Sequence, residues 1–403
     1  MRYDVIVVGL GGMGSAAAAH LARRGQRVLG LEQHSLGHAY GSSHGLTRII
    51  RLAYFEDPSY VPLLRRAFEL WRELERGLEE PLLHVTGGLD VGAAGSTVFE
   101  GSLRSCQAHD LPHEVLDADA IGRRFPGWRP ASELLAVWQP DAGFVTPERC
   151  IAQHAAVAAA SGADLRTGVR VRAVTPRSGR VEVCTDQETF EAGQVVLTAG
   201  PWMGDLAPAL APLLVPERQV LGWFEIENRP AFAPSAFPVW VMEAAEGVFY
   251  GFPEYQVPGF KIGKYHHRFE RVHPDTMDRG CHAEDEAALR ACTARYFPEA
   301  NGALLSSAAC LFTNTPDEHF IIDRAPGAPE VLLVSPCSGH GFKFASVVGE
   351  ICADLVTTGG TAHDIGLFSL GRLASAGAGA HCQTDSAHCR HGDQGTVSGL
   401  RPH

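Results

Sequence analysis

The chain opens on an apolar run, Tyr3-Asp-Val-Ile-Val-Val, that gives way at Gly9 to Gly-Leu-Gly-Gly-Met-Gly and then to an alanine-rich stretch. β-Branched residues with little polar alternation predict a strand buried on both faces. The alanine-rich stretch predicts a helix over residues 15–24, ended by Gly25, with Arg23 and Arg24 where cations suit a helix C-terminus. A second apolar run, Arg27 to Leu31, stops at Glu32. Strand, helix and strand thus follow one another within about 30 residues.

Further along, Leu64, Phe68 and Trp71 recur at i, i+4 and i+7 and predict a helix over 61–75. Residues 82–147 are rich in turn formers and mixed in pattern. A helix is expected over 150–160, strands over 169–174 and 181–183, and a buried strand entering a turn over 194–200. Aromatic, strand-like stretches at 219–226, 238–242 and 248–252 predict an antiparallel sheet. Near the end come a strand at 331–334, the loop Gly339-His-Gly-Phe-Lys343, and a helix over 344–355 with Val348, Ile351, Cys352 and Leu355 on one face. No internal repeat is present. From Ser375 the chain is rich in Gly, Ala, Ser and His, the composition of a flexible tail.

Composition narrows the function classes. A chain of 403 residues suits two or three domains of about 150 each. Its 34 Lys and Arg against 46 Asp and Glu give a net charge of −12, with no basic block, which excludes nucleic acid as a partner. The most apolar long stretch, 195–215, holds Asp205 and several prolines, so no span of about 20 apolar residues is present and no membrane association is expected. The N-terminus superficially resembles a signal peptide, but Asp4 and the glycines at 9, 11, 12 and 14 fit the strand reading better. Ten cysteines without a CxxC pair suit reduced thiols and a cytoplasmic protein. His381-Cys382 and His388-Cys389 match no closed zinc spacing, so no metal site is expected.

Chemistry enters through four segments. Gly9-x-Gly11-x-x-Gly14, set between strand and helix, would take a pyrophosphate at the helix N-terminus, and Glu32 would take ribose hydroxyls. This fingerprint does not choose between NAD and FAD. The stretch from Ser42 to Arg51 holds His44, Arg48 and Arg51 beside glycines, as either a grip for a carboxylate or phosphate or a solvated basic loop. Lys261-Ile-Gly-Lys264-Tyr-His266-His267 poses the same alternative. Gly339 to Lys343 places glycines and a cation before a helix, a setting for negative charge. Cys310, by its neighbours alone, reads as a buried apolar thiol.

Taken together, DVIVVGLGGMG (4–14), SSHGLTRIIRLAY (42–54), YGFPEY (250–255), CLFTNTPDEHFIID (310–323) and SGHGFKFASVVGE (338–350) resemble the monomeric sarcosine oxidase and N-methyl-L-tryptophan oxidase family of D-amino-acid-oxidase-like flavoproteins. The resemblance runs from about residue 1 to 372. It implies an α/β fold plus antiparallel sheet, with a Rossmann-like FAD-binding domain (1–80, 148–215, 310–372) and an inserted sheet-rich substrate domain (81–147, 216–309). It also implies FAD held covalently by Cys310. Arg51 and Lys343 match the pair that holds the substrate carboxylate, while Arg48 and His44 match residues beside the flavin. Lys261 matches the oxygen-activating lysine and Tyr250 an active-site tyrosine. Gly9, Gly11, Gly14, Glu32, Ser42, Val171, Gly339 and Gly341 join Arg48 and Lys343 in the implied cofactor site.

The implied reaction is oxidation of a secondary amino acid such as sarcosine by O2, in a monomer, giving imine or aldehyde, amino acid and hydrogen peroxide. Pipecolate, proline and N-methyltryptophan share the carboxylate and the secondary amine. Two further readings are an NAD(P)-dependent dehydrogenase and a flavin subunit that only passes electrons. The chain departs from the family pattern in places. Ser43 and Leu46 replace a His and an Asp in the basic segment, and Phe312 replaces a tyrosine near the flavin. The family's catalytic histidine lies four residues after its lysine, where this chain has Tyr265. A one-residue insertion would move that role to His266, the expected choice over His267.

Overall fold

Strand β1 (Tyr3–Val8), from the run that opens the chain, lies inside an eight-stranded sheet of the computed structural model, which describes residues 3–376. It pairs in parallel with β2 (Val28–Glu32) and, on its other side, with Thr189–Leu197. Asp164–Thr167 continues the parallel order beyond β2, and Ala328–Ser335 continues it beyond Thr189–Leu197. Three distant chain segments thereby build one dinucleotide-type sheet.

The apolar continuity of β1 has a direct cause. Val5 and Val7 join a core with helix α1 (Gly12–Arg23), whereas Ile6 and Val8 join a second core with Val171, Val181 and Val183 from an antiparallel meander. Both faces are covered, so both must be apolar. Helices Pro147–Ala160 and Ala345–Thr357 pack beside α1. At Gly349 a Cβ would stand 2.6 Å from the Ala16 backbone, which explains how closely that last helix approaches α1.

The second eight-stranded sheet runs in the order Leu304–Asn314, Val215–Phe224, Phe260–Lys264, Gly247–Gly251, Val239–Ala244, Gly88–Ala93, Leu134–Gln139 and Glu114–Asp117. Its pairs are antiparallel except Val239–Ala244 with Gly88–Ala93, which is parallel and departs from the all-antiparallel expectation. An aromatic core of Trp128, Phe232, Phe237, Trp240, Phe260 and Phe297 packs against it. A third, three-stranded sheet joins Arg48–Arg51 and Leu83–Val85 to Ala142–Val145.

Two expectations need adjustment. Residues 82–147 contain five strands and two helices; the strands are short, three to six residues each, and interrupted by helices and turns, which hides their periodicity. The boundary expected at residue 310 falls inside strand Leu304–Asn314, which belongs wholly to the second sheet. Most of the tail expected from Ser375, with its His/Cys pairs, lies outside the described residues. Among the described residues no helix is long and apolar enough to cross a membrane, and no His/Cys/Asp/Glu group could hold a metal.

Candidate active site

One elongated cavity, about 1980 Å³ of empty space with its open mouth included, gathers most of the residues singled out above. Gly9, Gly11, Glu32, Ser42, Arg48, Arg51, Val171, Tyr250, Cys310, Gly339, Gly341 and Lys343 all line it. Gly14, His44, Lys261 and His266 do not.

The glycine turn is shaped by contacts rather than by flexibility alone. Gly9 has φ +88°, and a Cβ there would lie 2.6 Å from the Thr198 carbonyl. A Cβ at Gly14 would lie 1.7 Å from the Gly9 oxygen, so helix and strand can meet only over a glycine. Gly14 therefore works behind the cavity wall. At Gly11 a Cβ would meet nothing nearer than Ser43 Oγ at 3.8 Å, which leaves its cavity face open; the glycine itself supplies no cap, and Ser43 Oγ accepts from the Gly12 N–H at a long 3.4 Å. The helix N-terminus thus presents N–H groups toward the cavity. Glu32 ends β2 and accepts hydrogen bonds from the Leu10 and His34 N–H groups, both at 2.9 Å, with His38 Nε2 at 3.4 Å. Burial pushes its carboxyl up, but these partners outweigh it and hold the group below its usual range.

A second group surrounds Cys310. The thiol is buried on strand Leu304–Asn314, packed with Leu221, Trp223, Tyr250 and Leu46. Burial pushes it up, while the Arg48 and Lys261 cations pull it back part of the way. Arg48 is fixed by donating to the Ser42 and Thr47 carbonyls at 2.8 and 2.9 Å. Lys261 sits one layer behind the wall. Its Nζ donates to Gly45 O, Thr47 O and Thr47 Oγ1 at 2.6 to 2.9 Å, and it lies 4.2 Å from the Phe252 ring, which does line the cavity. Burial and Arg48 push Lys261 well below the usual lysine range. Glu148 accepts from the Gly45 and Leu46 N–H groups, holding the loop in which Leu46 has φ +72°. His44 is buried behind this loop, its Nε2 without a protein partner, and burial with Arg48 lowers its pKa to about 3.

The third group is cationic. Arg51, 3 % exposed, donates to Glu56 at 2.8 Å and to the Ala53 carbonyl at 3.2 Å, with Asp90 Oδ1 3.4 Å from its Nε. Lys343 donates to the His340 carbonyl at 2.7 Å. Burial, reinforced by Arg51, lowers its pKa to about 7. Neither Glu56 nor Asp90 was foreseen from the sequence, because nothing local marks them as partners of Arg51.

The histidine expectation is corrected. Strand Phe260–Lys264 alternates its side chains, and the Tyr265 N–H extends the hairpin by donating to the Val248 carbonyl at 2.8 Å. Lys261, Gly263 and Tyr265 therefore share a face. Gly263 leaves room for the Tyr250 ring, and Tyr265 lines the cavity with Tyr250 and Phe312, at ring separations of 5.5 and 5.6 Å. The chain turns away at His266, whose φ is +52°. Its two ring nitrogens face Glu217 at 3.2 Å and Glu318 at 2.9 Å, outside the cavity lining. His267 is buried against Asp285. Tyr265, reached by counting without an insertion, is the residue of this stretch that lines the cavity. Strand alternation was the signal that could have found it.

The residues present fit FAD. Gly11 offers an open backbone face, Glu32 stands at the end of β2, and the buried Ser42 Oγ on the cavity wall has no protein partner. Cys310 lines the same space.

Comparison with known proteins agrees. The family model for FAD dependent oxidoreductases matches residues 4–355. A monomeric sarcosine oxidase of Streptomyces avermitilis is 46 % identical over 380 residues, covering 93 % of this chain and 98 % of that protein. An N-methyl-L-tryptophan oxidase of Yersinia pseudotuberculosis is 34 % identical over 376 residues, covering 93 % and 100 %. Among solved structures, NikD, an amino acid oxidase essential for nikkomycin biosynthesis, superposes with TM-score 0.79 at 28 % identity over 91 % of this chain and 97 % of that one. With a family model spanning most of the chain and relatives matched along nearly their full length, this protein belongs to the monomeric sarcosine oxidase and N-methyl-L-tryptophan oxidase family of FAD dependent oxidoreductases.

Proposed function

We propose that the protein oxidises a secondary, N-methylated amino acid, sarcosine first, with FAD tethered through Cys310 and dioxygen as the acceptor. The observation that carries this reading is a pair of buried cations, Arg51 and Lys343, in the same cavity as Cys310 and the glycine turn. The relatives' names support the substrate class.

Arg51 and Lys343 bind the carboxylate and so fix the rest of a small substrate relative to the cofactor, which lowers the barrier by positioning. The amine must be neutral to lose its electrons. A site holding Arg48, Arg51 and Lys343 disfavours the ammonium form and promotes release of that proton to water. Tyr250 and Tyr265 do not serve as bases, since burial raises both phenols far above neutrality; they enclose the substrate and exclude water. FAD, when bound, supplies the two-electron acceptor. Although burial lowers its pKa, Lys261 Nζ has three oxygen acceptors at 2.6 to 2.9 Å, one for each N–H of an ammonium, and in that form it is a fixed cation behind Phe252 and the 45–47 loop that favours negative charge developing on dioxygen. For sarcosine the balance is sarcosine, O2 and H2O giving glycine, formaldehyde and H2O2.

A peroxide assay across sarcosine, N-methyltryptophan, pipecolate and proline tests the reading, with the highest kcat/KM expected for sarcosine. Substrate that bleaches the flavin without forming peroxide would favour an electron-passing subunit. A colourless protein active only with a nicotinamide cofactor would overturn the flavin reading.

A further inference from the structure

Asp90 is a buried carboxylate that the proposed chemistry does not use. It lies on strand Gly88–Ala93, is 1 % exposed, and stands outside the cavity lining. Its Oδ1 is 3.4 Å from Arg51 Nε, while its Oδ2 accepts from Ser102 Oγ at 2.8 Å and Gln139 Nε2 at 3.2 Å. Gln139 in turn accepts, through Oε1, from the N–H groups of Leu52 and Ala53, the two residues after Arg51. The carboxylate therefore stands in ion-pair range of the Arg51 side chain and reaches the backbone that follows Arg51 through one amide. Glu56 already takes the Nη2 edge at 2.8 Å. Two buried carboxylates thus share one guanidinium before any ligand arrives, with Lys343 as the second cation nearby.

We propose that Asp90 is a positioning residue of the carboxylate clamp, and that it exchanges its charge for a proton when an anionic substrate binds. The inference rests on the reading of Arg51 and Lys343 as that clamp. A third carboxylate entering this site would face two like charges in a low-dielectric interior, and neutralising one relieves the repulsion. Asp90 is the one to yield. Its contact with Arg51 is the longer, and burial raises its pKa to about 6, whereas Glu56 is held below its usual range by Arg51 and its neighbours despite burial. The groups facing Asp90 are Arg51, Ser102, Cys106 and Gln139, with Glu56 and Lys343 beyond them. Cys106 stays a neutral thiol in this range, its pKa pushed up to about 12 by burial and by Asp90. Of these groups, only Lys343 also titrates near neutrality.

The test uses holoenzyme and methoxyacetate, which carries the carboxylate of sarcosine with an ether in place of its titratable amine. Kd is read from the perturbed flavin spectrum between pH 5.5 and 8.5, and proton uptake by calorimetry in two buffers of different ionisation enthalpy. The protonated form of Asp90 binds the anion better, so Kd should rise about tenfold as pH climbs from near 6 to above 7. Asp90→Asn should keep the tight, low-pH Kd through this range, lose the proton uptake centred there, and weaken only above about pH 7 as Lys343 loses its proton. Ser102→Ala removes a hydrogen bond to the carboxylate and should move the first step upward in pH. A Kd without a step near pH 6, the same step in Asp90→Asn, or no binding of methoxyacetate at any pH would each overturn the proposal. If methoxyacetate shows the Asp90 step yet no amino acid yields peroxide, the proposed function fails while the coupling stands.

Discussion

At one part of the cavity, Gly9, Gly11 and Glu32 come from a single run of chain, residues 3–32, with Thr198 at the end of the neighbouring parallel strand closing over Gly9 and His34 and His38 just beyond the run holding Glu32. At the other, Arg51, Tyr250, Tyr265, Cys310 and Lys343 arrive from five separate segments on two sheets and a 3₁₀ turn. The first part is a backbone device, shaped by where a Cβ is forbidden. The second is an electrostatic device, in which each cation's behaviour depends on carboxylates placed by other strands. Damage to the first should act on whether cofactor is held at all, and damage to the second on how well substrate and oxygen are handled.

The sharpest separation sets Gly14→Ala against Cys310→Ala. An alanine methyl at 14 meets the Gly9 oxygen at 1.7 Å, so the turn must open, and purified protein should carry no flavin. Cys310→Ala leaves the cradle intact. It should bind flavin reversibly, and acid precipitation should send the colour to the supernatant, whereas the unaltered protein keeps it in the pellet. Colour lost from the unaltered pellet would remove Cys310 as the attachment point.

Next in size is the oxygen step. Lys261→Met should slow reoxidation of reduced enzyme by about 10²-fold or more, the scale of losing one preorganised electrostatic donor, with far less effect on reduction by substrate. Lys264, on the other strand face with Nζ 5.6 Å from the Phe249 ring, is the control and should change neither half-reaction. Stopped-flow traces of the two half-reactions decide it; equal slowing of both would assign Lys261 to holding the 45–47 loop.

Arg51→Met tests the clamp. A charge-assisted hydrogen bond contributes on the order of 1.5–3 kcal/mol, so substrate affinity should fall roughly tenfold to a hundredfold or more while flavin stays bound. The same substitution leaves Glu56 and Asp90 without their cation, so part of the loss will be their repulsion of the ligand, and Asp90→Asn in that background should recover some of it.

These outcomes bear on what the sequence could say. The dinucleotide turn was legible because its signal is local: strand period, glycine spacing and a terminal acid lie in one window. Cys310, Arg51 and Lys343 were reachable only through family resemblance, since a buried thiol and scattered cations have no distinguishing pattern. Asp90 was illegible. Gly-Leu-Asp-Val-Gly reads as an ordinary interrupted strand; pairing with Leu134–Gln139 brings Gln139 to it, and the separate pairing of Arg48–Arg51 with Ala142–Val145 places Arg51 beside it. The strands of 82–147 were hidden for a different reason: each is short, and strands that pair within the tract are separated in sequence by helices and other strands.

The smallest effect concerns His266, which a one-residue insertion would have made the counterpart of the family's catalytic histidine. Glu217 and Glu318, on opposite ring nitrogens, raise its pKa to about 10. A raised folded pKa means that the imidazolium's stabilisation is fully present below its unfolded value of 6.5 and is lost as pH rises through about 10. Glu318 is half exposed, so solvent screens the cluster and the contribution is modest. His266→Gln should therefore lower the melting temperature slightly at pH 7, with the difference from the unaltered protein shrinking as pH approaches 10. Its kcat should stay within about threefold, against the 10²–10⁴-fold loss that removing a general base brings. A large fall in kcat with unchanged melting would return the histidine to the chemistry, and would mean that the chain between Lys264 and Phe269 takes up a different conformation around bound substrate.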